Sequence, residues 1–473
     1  MLIWFIAAYL LVAIAIGLFA ASKVHNARDY VIAGRSLPLY IVTATVFATW
    51  FGSETVLGTS ATFLQSGLHG IVADPFGASL CLILVGLFFA RKLYRMNLLT
   101  IGDYYRLRYG RSVEVLTSIA IVISYLGWVS AQITALGMVF ALVSQGQISA
   151  HHGMLLGSAI VLVYTLLGGM WSIALHDFLQ MNIILIGMLY IGWVVSKDAG
   201  GFMHVIQHAQ TAGKFAFWPA PNAADILAFI AAWVTMMLGS IPQQDVFQRV
   251  MSSKNENVAV QGSVLGGSLY FLFAFIPIFL AYSATLIDPT LVKSLINTDP
   301  QHILPDLIMH HTPVFAQIMF FGALLSSILS TSSATLLAPS ITFTENILKP
   351  FIAHWDDRQL LLAMRLVVVV FAGLVVLYAM SSNASIFNMV ENAYKVTLVA
   401  AFVPLAFGLY WKRANNQGAL LAIFAGTSSW LLLEIFNPNG LWPPQLFGLL
   451  MSLAGMVIGS TLPDFSSKSA QHQ

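Results

Sequence analysis

Residues 43–58 read TATVFATWFGSETVLG. They sit inside the apolar run Leu37–Gln65, which is long enough to cross a bilayer. Glu54 falls near the middle of that run, with Gly52 and Ser53 just before it and Trp50 a turn earlier. An acid at the centre of a membrane helix costs about 2.5–3.5 kcal/mol on insertion scales. Glycine and serine beside it weaken helical pairing at the same place. One reading is a continuous helix whose acid faces a partner helix. The other is a discontinuous helix whose unwound backbone and carboxylate form a solute site.

The composition places this stretch in a membrane. Hydrophobic residues make up 58 % of the 473 and charged residues 8 %, with a mean hydropathy of +0.82. A soluble domain carries about 25 % charge. The chain reads as an all-α polytopic membrane protein with about 13 transmembrane helices between Leu2 and Leu462. The first run, Leu2–Ala21, follows no basic segment and reads as a retained span. A single cysteine, Cys81, lies within a span, which excludes a disulfide framework or a cysteine metal site.

Basic residues set the expected orientation. With the N-terminus outside, 17 of the 21 Lys and Arg, Lys468 of the tail included, fall in or beside loops that face the cytoplasm. Lys197, Lys214 and Lys293 fall on the other side, and Lys395 lies within a span. An odd number of spans then puts the C-terminus in the cytoplasm. The expected location is a cell membrane, the inner one of a bacterium.

Spans two to six and seven to eleven form two groups of five, and an odd-numbered repeat must be inverted relative to its twin. The first helix of each group carries the break. Span two has Gly52–Ser53, and span seven, Ile226–Val246, has GSIPQQD with Pro242 between Gly239 and two glutamines. Paired interrupted helices in matching positions point to an alternating-access transporter. The expected units are 1–36, a leading helix and first cytoplasmic loop; 37–196 and 197–412, the two repeats; and 413–473, two peripheral helices and a short tail. In span nine, Val314–Ile341, Ser327, Ser330 and Thr331 stand at i, i+3 and i+4, so their hydroxyls share a face. Hydroxyls and carbonyls suit a small hard cation, although Ser and Thr also pack between membrane helices.

Five segments in this order and topology resemble the sodium:solute symporter family, whose members include sodium-coupled sugar, proline and choline transporters. They are ARDYVIAGRSLP from Ala27, TIGDYYRLRYG from Thr100, LLGGMWSIALHDFLQ from Leu166, SILSTSSATLLAPSITFTENI from Ser327 and GLYWKRANNQGALLA from Gly408. The resemblance departs at His176, where threonine is usual. It implies a LeuT-type 5+5 inverted-repeat core behind an extra leading helix. It also implies a site for the coupling ion, Na+, between spans two and nine, made by the carbonyls of Ala48, Phe51 and Ser327 and the hydroxyls of Ser330 and Thr331. Some members carry at the place of Ser333 an aspartate associated with a further sodium, which this chain lacks.

Trp50 and Trp128 match places where choline-transporting members carry aromatic cage residues, while Gln243 and Ala78 stand where those members carry aromatics. Glu54 sits where sugar-transporting members use a glutamate. Trp50, Glu54, Thr55, Trp128, Gln132, Gln243 and Gln244 form the candidate set for a small polar organic solute, with room for an amine or cationic group. Asp74, near the expected outer start of span three, and the Glu391/Lys395 pair of span eleven are candidate gates; the pair lies four residues apart and can meet on one face. The expected partners are sodium, a small solute and the bilayer, with no nucleic acid. The chain reads as no enzyme: it has no P-loop or intramembrane His/Asp cluster. A membrane-embedded solute sensor of the same fold, working with a separate signalling partner, is the alternative. The tail after Leu462 is too short for a signalling module.

Overall fold

The computed structural model describes residues 2–352 and 354–463. Lys468 lies outside the described residues. Among the described residues nine helices are long and apolar enough to cross a membrane, or ten when the bent pair Ala223–Gly239 and Gln244–Ser252 counts as one span. Shorter apolar helices, Trp4–Ala20, Leu39–Trp50 and Ala150–Val163, occupy the places of the other three expected spans.

The breaks are local events with identifiable donors and acceptors. The helix of span two ends at Trp50, and Phe51 leaves helical geometry at φ −83°, ψ 71°. In an unbroken helix the amides of Gly52 and Ser53 would bond to the carbonyls of Ala48 and Thr49. Instead Gly52 N donates to Trp50 O at 3.0 Å and Ser53 N to the Gln132 side chain at 2.9 Å. Helical pairing resumes from Val56 N to Gly52 O at 3.2 Å. The Ala48 and Thr49 carbonyls therefore lose their usual helical donors in the middle of the bundle. In span seven the two helices meet at 43° across Ser240–Gln243, the Pro242 break that the sequence predicts.

Spans five and six run as Ala150–Asp198, interrupted only at Gly169, where φ is +50°. A Cβ there would lie 2.5 Å from the Tyr30 carbonyl oxygen, so only glycine supports this junction. At the basic side of the bundle, span two and the end of span seven are tied backbone to backbone. Leu37 N donates to Ser252 O at 3.0 Å, and Lys254 N to Leu37 O at 2.9 Å. The start of one broken helix is thus tied to the end of the other. Span two packs against spans six, eight and nine, and span four packs against spans five, nine and eleven.

Candidate transport site

The break in span two brings Glu54 into a fully enclosed position at 2 % exposure. Its two carboxylate oxygens take different donors: Trp128 Nε1 reaches Oε1 at 3.0 Å, and Gln132 Nε2 reaches Oε2 at 2.6 Å. Gln132 serves twice, because its Oε1 also accepts from Ser53 N. One side chain of span four therefore holds the unwound backbone and the acid it carries.

Trp128, which donates to this acid, belongs to a cluster of aromatic rings. Trp50 and Trp128 meet edge to face at 5.6 Å between centroids. Tyr394 of span eleven stacks on Trp50 at 6.0 Å and lies 5.4 Å from Trp128. Tyr125 stacks on Trp128 at 5.9 Å. The Tyr394 hydroxyl and the Ser53 hydroxyl are buried with no hydrogen-bond partner. Buried polar atoms are normally paired, so these two are available to a bound molecule. Trp50 Nε1 donates to Asp245 Oδ2 at 3.3 Å, and Tyr125 OH donates to Asp245 Oδ1. Asp245, Tyr125 and Tyr394 were not singled out from the sequence.

The other expected solute residues divide. Gln243 donates to Ser124 Oγ at 2.9 Å and to Thr397 Oγ1 at 3.4 Å. Those partners lie a turn before Trp128 and a turn after Tyr394, which places Gln243 beside the aromatic cluster. Gln244 turns elsewhere: its Oε1 accepts from Ile101 N at 2.8 Å, at the first turn of the short helix Ile101–Tyr109. Thr55 is spent on the Tyr270 hydroxyl at 2.8 Å and on Asp74 and the Trp50 carbonyl.

The expected sodium ligands of spans two and nine are neighbours. Thr331 Oγ1 lies 3.5 Å from the freed Ala48 carbonyl. Ser330 Oγ donates to Asp177 Oδ1 at 2.5 Å, and Asp177 Oδ2 also accepts from Thr49 at 3.4 Å. Arg249 Nη2 donates to Thr49 Oγ1 at 2.6 Å and stands 4.0 Å from Asp177. Ser327 Oγ is turned onto its own helix, at Leu324 O, 2.8 Å away. That leaves only its carbonyl for the role the sequence assigned to it. Gly52 separates the two candidate sites. A Cβ at Gly52 would lie 2.5 Å from Glu54 Oε2 and 2.8 Å from Thr331 Oγ1. The acid of one site and a hydroxyl of the other thus face the same backbone carbon.

Asp74 is buried, at 1 % exposure. It accepts from Thr59 at 2.8 Å, from Thr55 at 3.4 Å and from Tyr270. The helix of span three begins with non-helical geometry at Asp74 itself, φ −135° and ψ 122°. Glu391 and Lys395 are half-buried on span eleven, but no ion pair within 4.0 Å joins them among the described residues. The helix Ile101–Tyr109 is tied to span eleven on the side of the bundle that carries the arginines. Its Tyr105 and Tyr109 hydroxyls donate to Ala401 O at 2.9 Å and Pro404 O at 2.7 Å. Asn346 at the end of span nine ties Asp103 and Glu114 together at 3.2 and 3.0 Å.

Two discontinuous helices with their breaks at the bundle centre, and polar side chains gathered there inside an apolar shell, define a secondary transporter of LeuT-like fold. The comparisons agree. A Na+-coupled sialic acid symporter, substrate-bound and outward-open, superposes with a TM-score of 0.81 at 19 % identity, covering 97 % of each chain. A nucleobase-cation-symport-1 family transporter, closed with bromovinylhydantoin bound, gives 0.63 at 14 % identity over 94 % of this chain and 98 % of that one. The sodium:solute symporter family profile matches residues 30–426, and the chain belongs to that family. It is an integral membrane protein and a sodium-coupled symporter of a small solute. The human high affinity choline transporter 1 is 27 % identical over 460 residues, 92 % of this chain and 76 % of the relative. The sodium/pantothenate symporter of Escherichia coli is 27 % identical over 468 residues, 96 % and 95 % of the two chains.

Proposed function

We propose that the chain imports a small cationic, amine-bearing solute by alternating access, with Na+ as the coupling ion. One observation carries the solute class: the rings of Trp50, Trp128 and Tyr394 pack together, and Trp128 Nε1 donates to the Glu54 carboxylate. Aromatic faces attract an ammonium through their quadrupoles, and a carboxylate at the base of the box supplies the countercharge. The three rings pack on one another, so the solute enters by exchanging ring–ring contacts for ring–solute contacts. The orphaned Tyr394 and Ser53 hydroxyls offer it hydrogen bonds, and Gln243 lines the edge. The choline transporters among the relatives support the same class.

In this reading sodium lies against the carbonyls of Ala48, Phe51 and Ser327 and the hydroxyls of Ser330 and Thr331. The freed Ala48 carbonyl beside Thr331 supports that set. The repeats run over 37–196 and 197–412, flanked by 1–36 and 413–473. The N-terminus faces outside and the C-terminus the cytoplasm, in a bacterial inner membrane. The Ile101–Tyr109 helix closes the cytoplasmic path and must yield when the site opens inward.

A thermal-shift screen of the purified protein tests the solute class. Choline and related amines should raise Tm in sodium and much less in potassium. A shift with pantothenate, proline or sugars and none with any amine would overturn the cationic reading.

A further inference from the structure

The centre of the bundle holds more acids than bases. Glu54, Asp74, Asp177 and Asp245 are each at most 2 % exposed, and Arg249 is the one Lys or Arg among the described residues that is similarly buried. Arg249 is committed to Asp177, Thr49 and the Asp245 carbonyl. Glu54 has only neutral donors, and the proposed cationic solute balances its charge. Asp74 has no ion pair among the described residues and is met by hydroxyls alone. A carboxylate left uncompensated in a low-dielectric interior is strongly disfavoured. Either a proton or a cation must accompany it through part of the cycle.

The surroundings of Asp74 discriminate between occupants. Thr59 Oγ1 stands 2.8 Å and Thr55 Oγ1 3.4 Å from Oδ2, Tyr270 OH bonds Oδ1, and Thr55 and Tyr270 are 2.8 Å apart. All the donors are oxygen, they carry one formal charge, and they are too close together for an organic ammonium. Hard cations take such ligands, and a single carboxylate suits a monovalent ion better than a divalent one. The described residues contain no group of three or more His, Cys, Asp or Glu that could hold a metal ion. The ligands come from three places: the helical segment that resumes after the span-two break, the start of span three, and span eight.

We propose that Asp74, Thr55, Thr59 and Tyr270 form a second sodium site, separate from the one at Ala48 and Thr331. The proposal rests on the sodium-coupled reading above. Thr55 and Thr59 belong to the same short segment as Glu54, so an ion here draws that segment toward spans three and eight. Sodium at Asp74 thereby sets the position of the solute acid before the solute arrives, and two sodium ions accompany each solute.

Equilibrium binding of radiosodium to purified protein in nanodiscs, without solute, tests this. The wild type should bind close to two ions per chain. Asp74→Asn and Thr59→Val should each bind close to one, and Thr331→Ala should retain the Asp74 ion. Tyr270→Phe keeps the ring and removes one ligand, so it should weaken one of the two sites about tenfold; it decides the matter if Asp74→Asn does not fold. Wild-type binding of one ion, or Asp74→Asn and Tyr270→Phe both matching wild type, would overturn the second site. So would one sodium together with a proton taken up on solute binding that Asp74→Asn abolishes, since the occupant is then H+. No sodium bound by the wild type would instead remove the sodium-coupled reading itself.

Discussion

Replacing Glu54 with glutamine changes one atom and separates a binding role from a structural one. The carboxylate accepts two hydrogen bonds, from Trp128 Nε1 at 3.0 Å and from Gln132 Nε2 at 2.6 Å. An amide has one acceptor. Gln132 cannot flip to accommodate the new donor, because its Oε1 already accepts from Ser53 N at 2.9 Å. The glutamine oxygen therefore faces Gln132, and its NH2 group is left opposite the Trp128 N–H, donor against donor. The variant loses the charge offered to the solute and loosens one wall of the aromatic box. A hydrogen bond to a charged group is worth about 1.5–3 kcal/mol. Solute affinity should fall roughly ten- to hundredfold, since 1.4 kcal/mol is about a factor of ten. The Gln132–Ser53 clamp is kept, so the freed Ala48 carbonyl stays in place and sodium affinity at the Thr331 site should change by less than about threefold. Solute and sodium affinities are measured separately on the purified variant by calorimetry. A normal solute affinity with a lost sodium response would refute the assignment of Glu54 to the solute.

Other substitutions probe the remaining parts of the account. Gly52→Ala places a methyl group 2.5 Å from Glu54 Oε2 and 2.8 Å from Thr331 Oγ1, so both sodium and solute binding should weaken, at an overpacking cost of about 1–3 kcal/mol; loss of only one would show that the sites are further apart. Thr331→Ala removes a neutral ligand and should raise the sodium concentration for half-maximal uptake about two- to tenfold, read from uptake against sodium. Gln244→Ala releases Ile101 N at the start of the Ile101–Tyr109 helix and should speed amide exchange there with solute affinity unchanged; a large affinity loss would return Gln244 to the solute site. Outside the membrane, hydrogen bonds from Thr290, the Leu291 amide and His311 hold Asp288 down from its ordinary 3.8 to about 2. Its tie to His311 and the 288–291 turn is therefore fully present above 3.8 and lost only as pH falls toward about 2. Amide exchange over residues 288–311 should be protected at pH 4, and early loss of protection there would contradict this.

Both helix breaks were legible because Gly52–Ser53 and Pro242 act locally: they remove or redirect hydrogen bonds within a few residues. The hydroxyl face of span nine followed from helical spacing alone. Tyr125 stands three residues before Trp128 on one helix and was legible from spacing, whereas Tyr394 and Asp245 reach the solute box by packing between positions more than a hundred residues apart, which no spacing along the chain reports. Gln243 and Gln244 looked equivalent as a pair. Successive residues at a helix start point in different directions, and only one of them faces the aromatic rings. Asp74 was legible as a residue at the start of span three, but its hydroxyl partners on spans two and eight come from packing that hydropathy does not report.

The most direct test is uptake of radiolabelled choline into proteoliposomes containing the purified protein, with pantothenate and proline assayed alongside. The account predicts accumulation of the cationic solute under an inward sodium gradient, collapse when sodium is replaced by potassium or the gradient is dissipated, and loss in Thr331→Ala at low sodium. Equal uptake with and without a sodium gradient would contradict it.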